Sequence, residues 1–115
     1  MRATVRSSPL YNDTFALCGA VLEDMERGGG HGVLRARISR GAIRLLDAVT
    51  LAVEGMDRHD RLLDADAELR TLRTHLQLAR QLGVLDDEVR LALAEQTEGI
   101  GRQIGGWLRK LESVS

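Results

Sequence analysis

Along most of this chain apolar residues recur at alternating steps of three and four, the repeat that lines one face of an α-helix. The first such stripe is Tyr11, Phe15, Cys18, Leu22 and Met25. Ser8 stands where a capping hydroxyl is wanted and Pro9 suits a first helical turn, so a helix is predicted from about Pro9 to Arg27. Gly28, Gly29 and Gly30 end it, because three glycines lose too much backbone entropy on ordering to continue a helix. From about Gly32 the stripe resumes with Leu34, Ile38, Ala42, Leu45, Val49, Ala52 and Met56, widened by Leu46 and Val53. Gly55 and the polar run Asp57, Arg58, His59, Asp60 predict the next turn. Leu62, Ala65, Leu69, Leu72, Leu76 and Ala79 then form a third stripe that closes at Gly83, a natural C′ glycine. Asp86 is a good N-cap for a fourth helix, and Asp87 and Glu88 place negative charge in its first turn, where the helix dipole favours it. That helix carries Val89, Leu93, Ile100, Ile104, Trp107, Leu108 and Leu111.

Four amphipathic helices joined by loops of roughly two to six residues must lie antiparallel to their sequence neighbours. The expectation is an all-α, up-down-up-down four-helix bundle over residues 9–115, preceded by a disordered N-terminal tail over residues 1–8. Composition agrees. Tyr11, Phe15 and Trp107 are the sole aromatic residues in a chain of 115 that is 43% hydrophobic, which favours helices and offers a sheet little. This length accommodates one domain and one core.

No apolar run approaches the roughly 20 residues that span a bilayer, and no apolar segment follows Met1 to Ser8 as a secretory signal would require. A cytoplasmic protein without a membrane segment is expected. The single cysteine, Cys18, excludes an intramolecular disulfide and reads as a buried structural thiol within FALCGAVL. With a formal net charge of −1 the average surface attracts neither nucleic acid nor anionic lipid, so any such binding must come from a local patch.

Two constellations are candidates for such a patch. Arg35, Arg37, Arg40 and Arg44 fall in a stretch from Val33 to Leu46 that holds no acidic residue, and the last three share a helical face. Arg70, Arg73 and Arg80 align in the third helix. Each set is either a solvated helix face or a stripe that binds phosphate or a protein partner. The second constellation is a run of helix-breaking glycines in the fourth helix: Gly99, Gly101, Gly105 and Gly106 each cost up to about 1 kcal/mol relative to Ala. Gly101 and Gly105 lie on one face beside Trp107, so they admit a close backbone approach, from within the bundle or from a neighbouring subunit.

Catalysis and metal binding find little support. His31, His59 and His75 are scattered, with the first two in predicted loops. The Glu-x-x-His repeat of di-metal bundles does not occur. Asp64, Asp66 and Glu68 alternate at steps of two, which spreads them around a helix. Gly28 to Gly32 follows no strand and lacks the Lys-Ser/Thr of a nucleotide loop. A non-enzymatic protein with no cofactor is expected.

The last two helices carry a resemblance. The run LRTLRTHLQLARQLGVL from Leu69 to Leu85, followed by EGIGRQIGGWL from Glu98 to Leu108, resembles the four-helix-bundle family of the accessory variability determinant (Avd) proteins of diversity-generating retroelements and the proteins encoded in 23S rRNA intervening sequences. The second string is the sharper one: a Gly-Arg pair, an apolar residue and then Gly-Gly-Trp is characteristic of that family's final helix. The resemblance implies a homopentameric barrel of bundles that binds the element's reverse transcriptase and helps it use template RNA for mutagenic cDNA synthesis. Arg102, Gly105, Gly106 and Trp107 match the motif by position and read as architectural. The other branch of the family implies a different role, a general interaction or structural bundle with no polymerase partner.

Overall fold

The computed structural model describes residues 7–113, which form four α-helices and no strand: α1 (Pro9–Glu26), α2 (Gly32–Val53), α3 (Arg58–Gln81) and α4 (Asp87–Glu112). Each helix packs against its sequence neighbours, and α1 packs against α4, which closes an antiparallel up-down-up-down bundle. Its principal extents of 46 × 26 × 22 Å are one long helix by two helix diameters. Most of the residues predicted as tail lie outside the described part. Ser8 belongs to the bundle, since its hydroxyl accepts from the Tyr11 N–H at 3.2 Å and caps α1 ahead of Pro9.

The turns follow from backbone chemistry. At the end of α3, Gly83 takes a positive φ of 78°, its N–H donates to Arg80 O, and the Val84 N–H reaches back to Ala79 O at 2.8 Å. This pair of bonds satisfies carbonyls that the helix would otherwise leave open. Gly55, with φ of 87°, closes α2 in the same way, through its own bond to Ala52 O and that of Met56 to Leu51 O. Asp86 caps α4 by accepting from the Val89 N–H at 2.8 Å.

The core holds the predicted stripes of α2, α3 and α4 with few exceptions. All six α3 positions are buried, as are Ile38, Ala42, Leu45, Val49 and Ala52 of α2 and Leu93, Ile100 and Ile104 of α4. Cys18 is buried at 5% exposure. Three readings need correction. In α1 the buried face is Leu10, Thr14, Leu17, Cys18, Val21 and Met25, whereas Phe15 is 57% exposed and Tyr11 packs on it with ring centroids 5.8 Å apart. The true stripe is rotated by less than a quarter turn because Thr14 occupies a core position, its hydroxyl donating to Leu10 O at 2.7 Å. Met56 lies beyond the end of α2 and is exposed. The polar run thought to be a turn already belongs to α3: Asp57 holds the left-handed conformation, and Arg58, His59 and Asp60 form the first helical turn.

Candidate binding surfaces

Arg35 makes contacts apart from those of the other arginines of α2. Arg35 turns toward the end of α1, where its Nη1 donates to Arg27 O at 2.6 Å and Met25 O at 2.9 Å, its Nε to Gly30 O at 2.7 Å and its Nη2 to Gly29 O at 3.4 Å. A guanidinium at a helix C-terminus neutralises the negative end of the dipole and fills the open carbonyls. Arg35 is therefore the clasp of the glycine loop. Arg37 is half-buried, and its Nη1 is buried without a hydrogen-bond partner among the described residues. Arg40 is exposed, and Arg44 lies 4.0 Å from Glu68 of α3. The face shared by Arg37, Arg40 and Arg44 is thus partly neutralised at one end.

In α3, Arg70 pairs with Asp66 at 2.9 Å on its own helix. Arg80 reaches across the turn to Asp87 at 2.5 Å. That hydrogen bond and the guanidinium charge hold the Asp87 carboxyl below the usual carboxylate range. Arg73 makes no ion pair among the described residues. It lines a cleft between α3 and α4 with Leu76, Gln77, Arg90, Ala94 and Thr97. A shallower depression formed by Arg70, Arg73, Thr74 and Gln77 adjoins it and shares two of its residues. No acidic side chain lines either one. Two other grooves carry acids: the α2–α3 groove mixes Arg44 and Arg61 with Asp47, Asp64 and Glu68, and the α1–α4 groove offers Asp13 and Glu95 beside Ala16 and Gly99.

Sequence reasoning singled out Arg73 but missed Arg90. Arg90 sits in α4 among acidic residues and has no arginine neighbour at helical spacing, so only the approach of α3 reveals it as a member of a basic cluster. The usable signal was weaker: a cation at the end of a helix's first turn opposes the dipole.

The glycines of α4 divide into two groups. A Cβ built on Gly101 would meet the Leu69 side chain at 3.4 Å, so this glycine serves the close contact of α4 with α3. A Cβ on Gly105 or Gly106 would meet only the guanidinium of Arg109, on the same helix, at 3.4 Å and 3.9 Å. Among the described residues, no other helix comes within 4 Å of those two Cβ positions. Trp107 is half-buried, and Arg58 lies over its ring at 5.0 Å.

Among the described residues no cluster of three or more His, Cys, Asp or Glu could hold a metal ion, and no helix is long and apolar enough to cross a membrane. His59 lies in α3, 3.0 Å from Glu112, which ties the start of that helix to the end of α4. Comparison of the chain with protein-family models, curated proteins and solved structures finds no match.

Proposed function

We propose that this chain is a non-enzymatic, cytoplasmic accessory factor of a diversity-generating retroelement, a homopentameric adaptor that binds the reverse transcriptase and supports its use of template RNA. The observation that carries the reading is the placement of the Gly-Gly-Trp string. Gly105 and Gly106 lie within a continuous helix at a cost of up to about 1 kcal/mol each, and among the described residues no other helix comes within 4 Å of a Cβ built on either. A second subunit packed against α4 would offset that cost. These are residues that match the final-helix motif of the Avd proteins, whose assembly is the basis of their role. The exposed side chains of Phe15 and Ile43 add apolar surface that a partner can cover.

Co-purification with the reverse transcriptase encoded nearest to this gene, with and without the adjacent RNA, tests the reading. Light scattering supplies the subunit ratio. A stable complex with several copies per polymerase is expected. A bundle that assembles alone and ignores both polymerase and RNA would favour the intervening-sequence branch of the resemblance, a general interaction module.

A further inference from the structure

We propose that the acid-free cleft between α3 and α4 is a phosphate-binding site, in which Arg73 and Arg90 hold the oxyanion and Gln77 and Thr97 border it. The inference stands apart from the polymerase reading, because it rests on this cleft alone and requires neither assembly nor a protein partner.

Three observations converge there. The cleft brings together arginines from different helices, with no carboxylate among its lining residues. In a chain of net charge −1 whose α2–α3 and α1–α4 grooves contain acids, that separation sets it apart from both. Second, the Nε–H of Arg90 is buried without a hydrogen-bond acceptor among the described residues. A buried charged donor left unpaired is costly, and a turn of the Arg90 side chain toward an oxyanion in the cleft would supply the missing acceptor. Third, the nearby positive charge is only partly spent. Arg80 and Arg70 are engaged by Asp87 and Asp66, and the Asp87 charge also acts on Arg90, while Arg73 has no ion-pair partner among the described residues. The cleft volume of about 200 Å³ is enough for a tetrahedral phosphate and part of what it is attached to. The adjoining depression, which contributes Arg70 and Thr74, continues the donor surface along α3. A second phosphate of a strand could lie there.

The phosphate can come from a free anion or from a nucleic-acid strand. Titration of the full chain with inorganic phosphate and, separately, with a short single-stranded RNA, followed by amide NMR, distinguishes the sources. Shifts centred on Arg73, Gln77, Arg90 and Thr97 are expected. The double variant Arg73→Gln, Arg90→Gln should weaken binding about tenfold or more, while Arg27→Gln, on an exposed arginine at the end of α1 outside the cleft, should leave it unchanged. Tighter binding of RNA than of inorganic phosphate assigns the site to a strand. In that case the slope of log affinity against log salt flattens by about 0.7 for each phosphate contact the variant loses. Equal affinity for the two probes assigns the site to the free anion. Shifts that map elsewhere in the wild-type chain, or an equal loss in Arg27→Gln, overturn the proposal, and the wild-type map decides even if the double variant folds poorly.

Discussion

The guanidinium of Arg58 lies 5.0 Å from the centre of the Trp107 ring while its Nε donates to Ala52 O at 2.8 Å and its Nη2 to Val53 O at 3.2 Å. One side chain at the start of α3 thus closes the carbonyls at the end of α2 and stacks on α4. Arg58→Ala removes the cation over the ring and the side-chain donor to Val53 O, while Ala52 O keeps its bond from the Gly55 N–H; the loss should be about 1–3 kcal/mol. Arg58→Lys should recover only part of this, because an ammonium cannot stack and donate through a planar fork at once. Urea unfolding followed by the fluorescence of Trp107 measures both; a wild-type midpoint in Arg58→Ala would mean that the stacking is energetically idle.

Arg35 performs the same service at the opposite end of the bundle, on the last carbonyls of α1. Replacing it with Ala should destabilise the chain by about 1–3 kcal/mol and loosen the glycine loop, seen as faster amide exchange over residues 28–31. Arg40→Ala, on an exposed arginine of the same helix, should change stability by no more than about 0.5 kcal/mol. Equal effects would show that the clasp is not what separates them.

These two arginines mark where the sequence could and could not be read. Helix number, order and caps were legible because they depend on local signals: Ser8, Asp86, Gly55 and Gly83 act on neighbours within a few residues. The inward face of α3 was legible because its stripe is uninterrupted. The face of α1 was misjudged because apolar periodicity does not count Thr14, whose hydroxyl is satisfied by its own helix, and does count Phe15, which the bundle leaves outside. Arginine roles were the least legible. Whether a guanidinium clasps a helix end like Arg35, pairs across a turn like Arg80 or lines a cleft like Arg90 depends on the element packed beside it, and no spacing in the chain encodes that.

The two glycine environments of α4 predict opposite outcomes for one kind of substitution. Gly101→Leu must displace Leu69, which should destabilise the folded chain by about 1–3 kcal/mol. Gly105→Ala has only the mobile end of Arg109 to move and gains helix propensity, so a solitary bundle should become more stable by up to about 1 kcal/mol. If another subunit packs on that face, Gly105→Leu should lower the mass measured by light scattering without reducing helicity. A Gly105→Leu chain of wild-type mass would place those glycines in solvent.

Cys18 offers a probe of the core that needs no substitution. Its side chain is buried between α1 and its neighbours, and burial, followed by the nearby charge of Asp47, pushes its thiol pKa above the usual value. Both effects disfavour the thiolate, the reactive form. At neutral pH the native chain should therefore react with a thiol reagent far more slowly than the urea-unfolded chain. Because the folded-state pKa is the higher one, the native rate should continue to climb with pH after the unfolded rate has levelled. Substituting Asp47 by Asn removes one of the two causes and should speed the native reaction modestly, leaving burial as the larger obstacle. A native thiol that reacts as fast as the unfolded one would show that α1 opens readily and that its packing against α2 and α4 is weaker than the buried face of Leu10, Leu17 and Val21 implies.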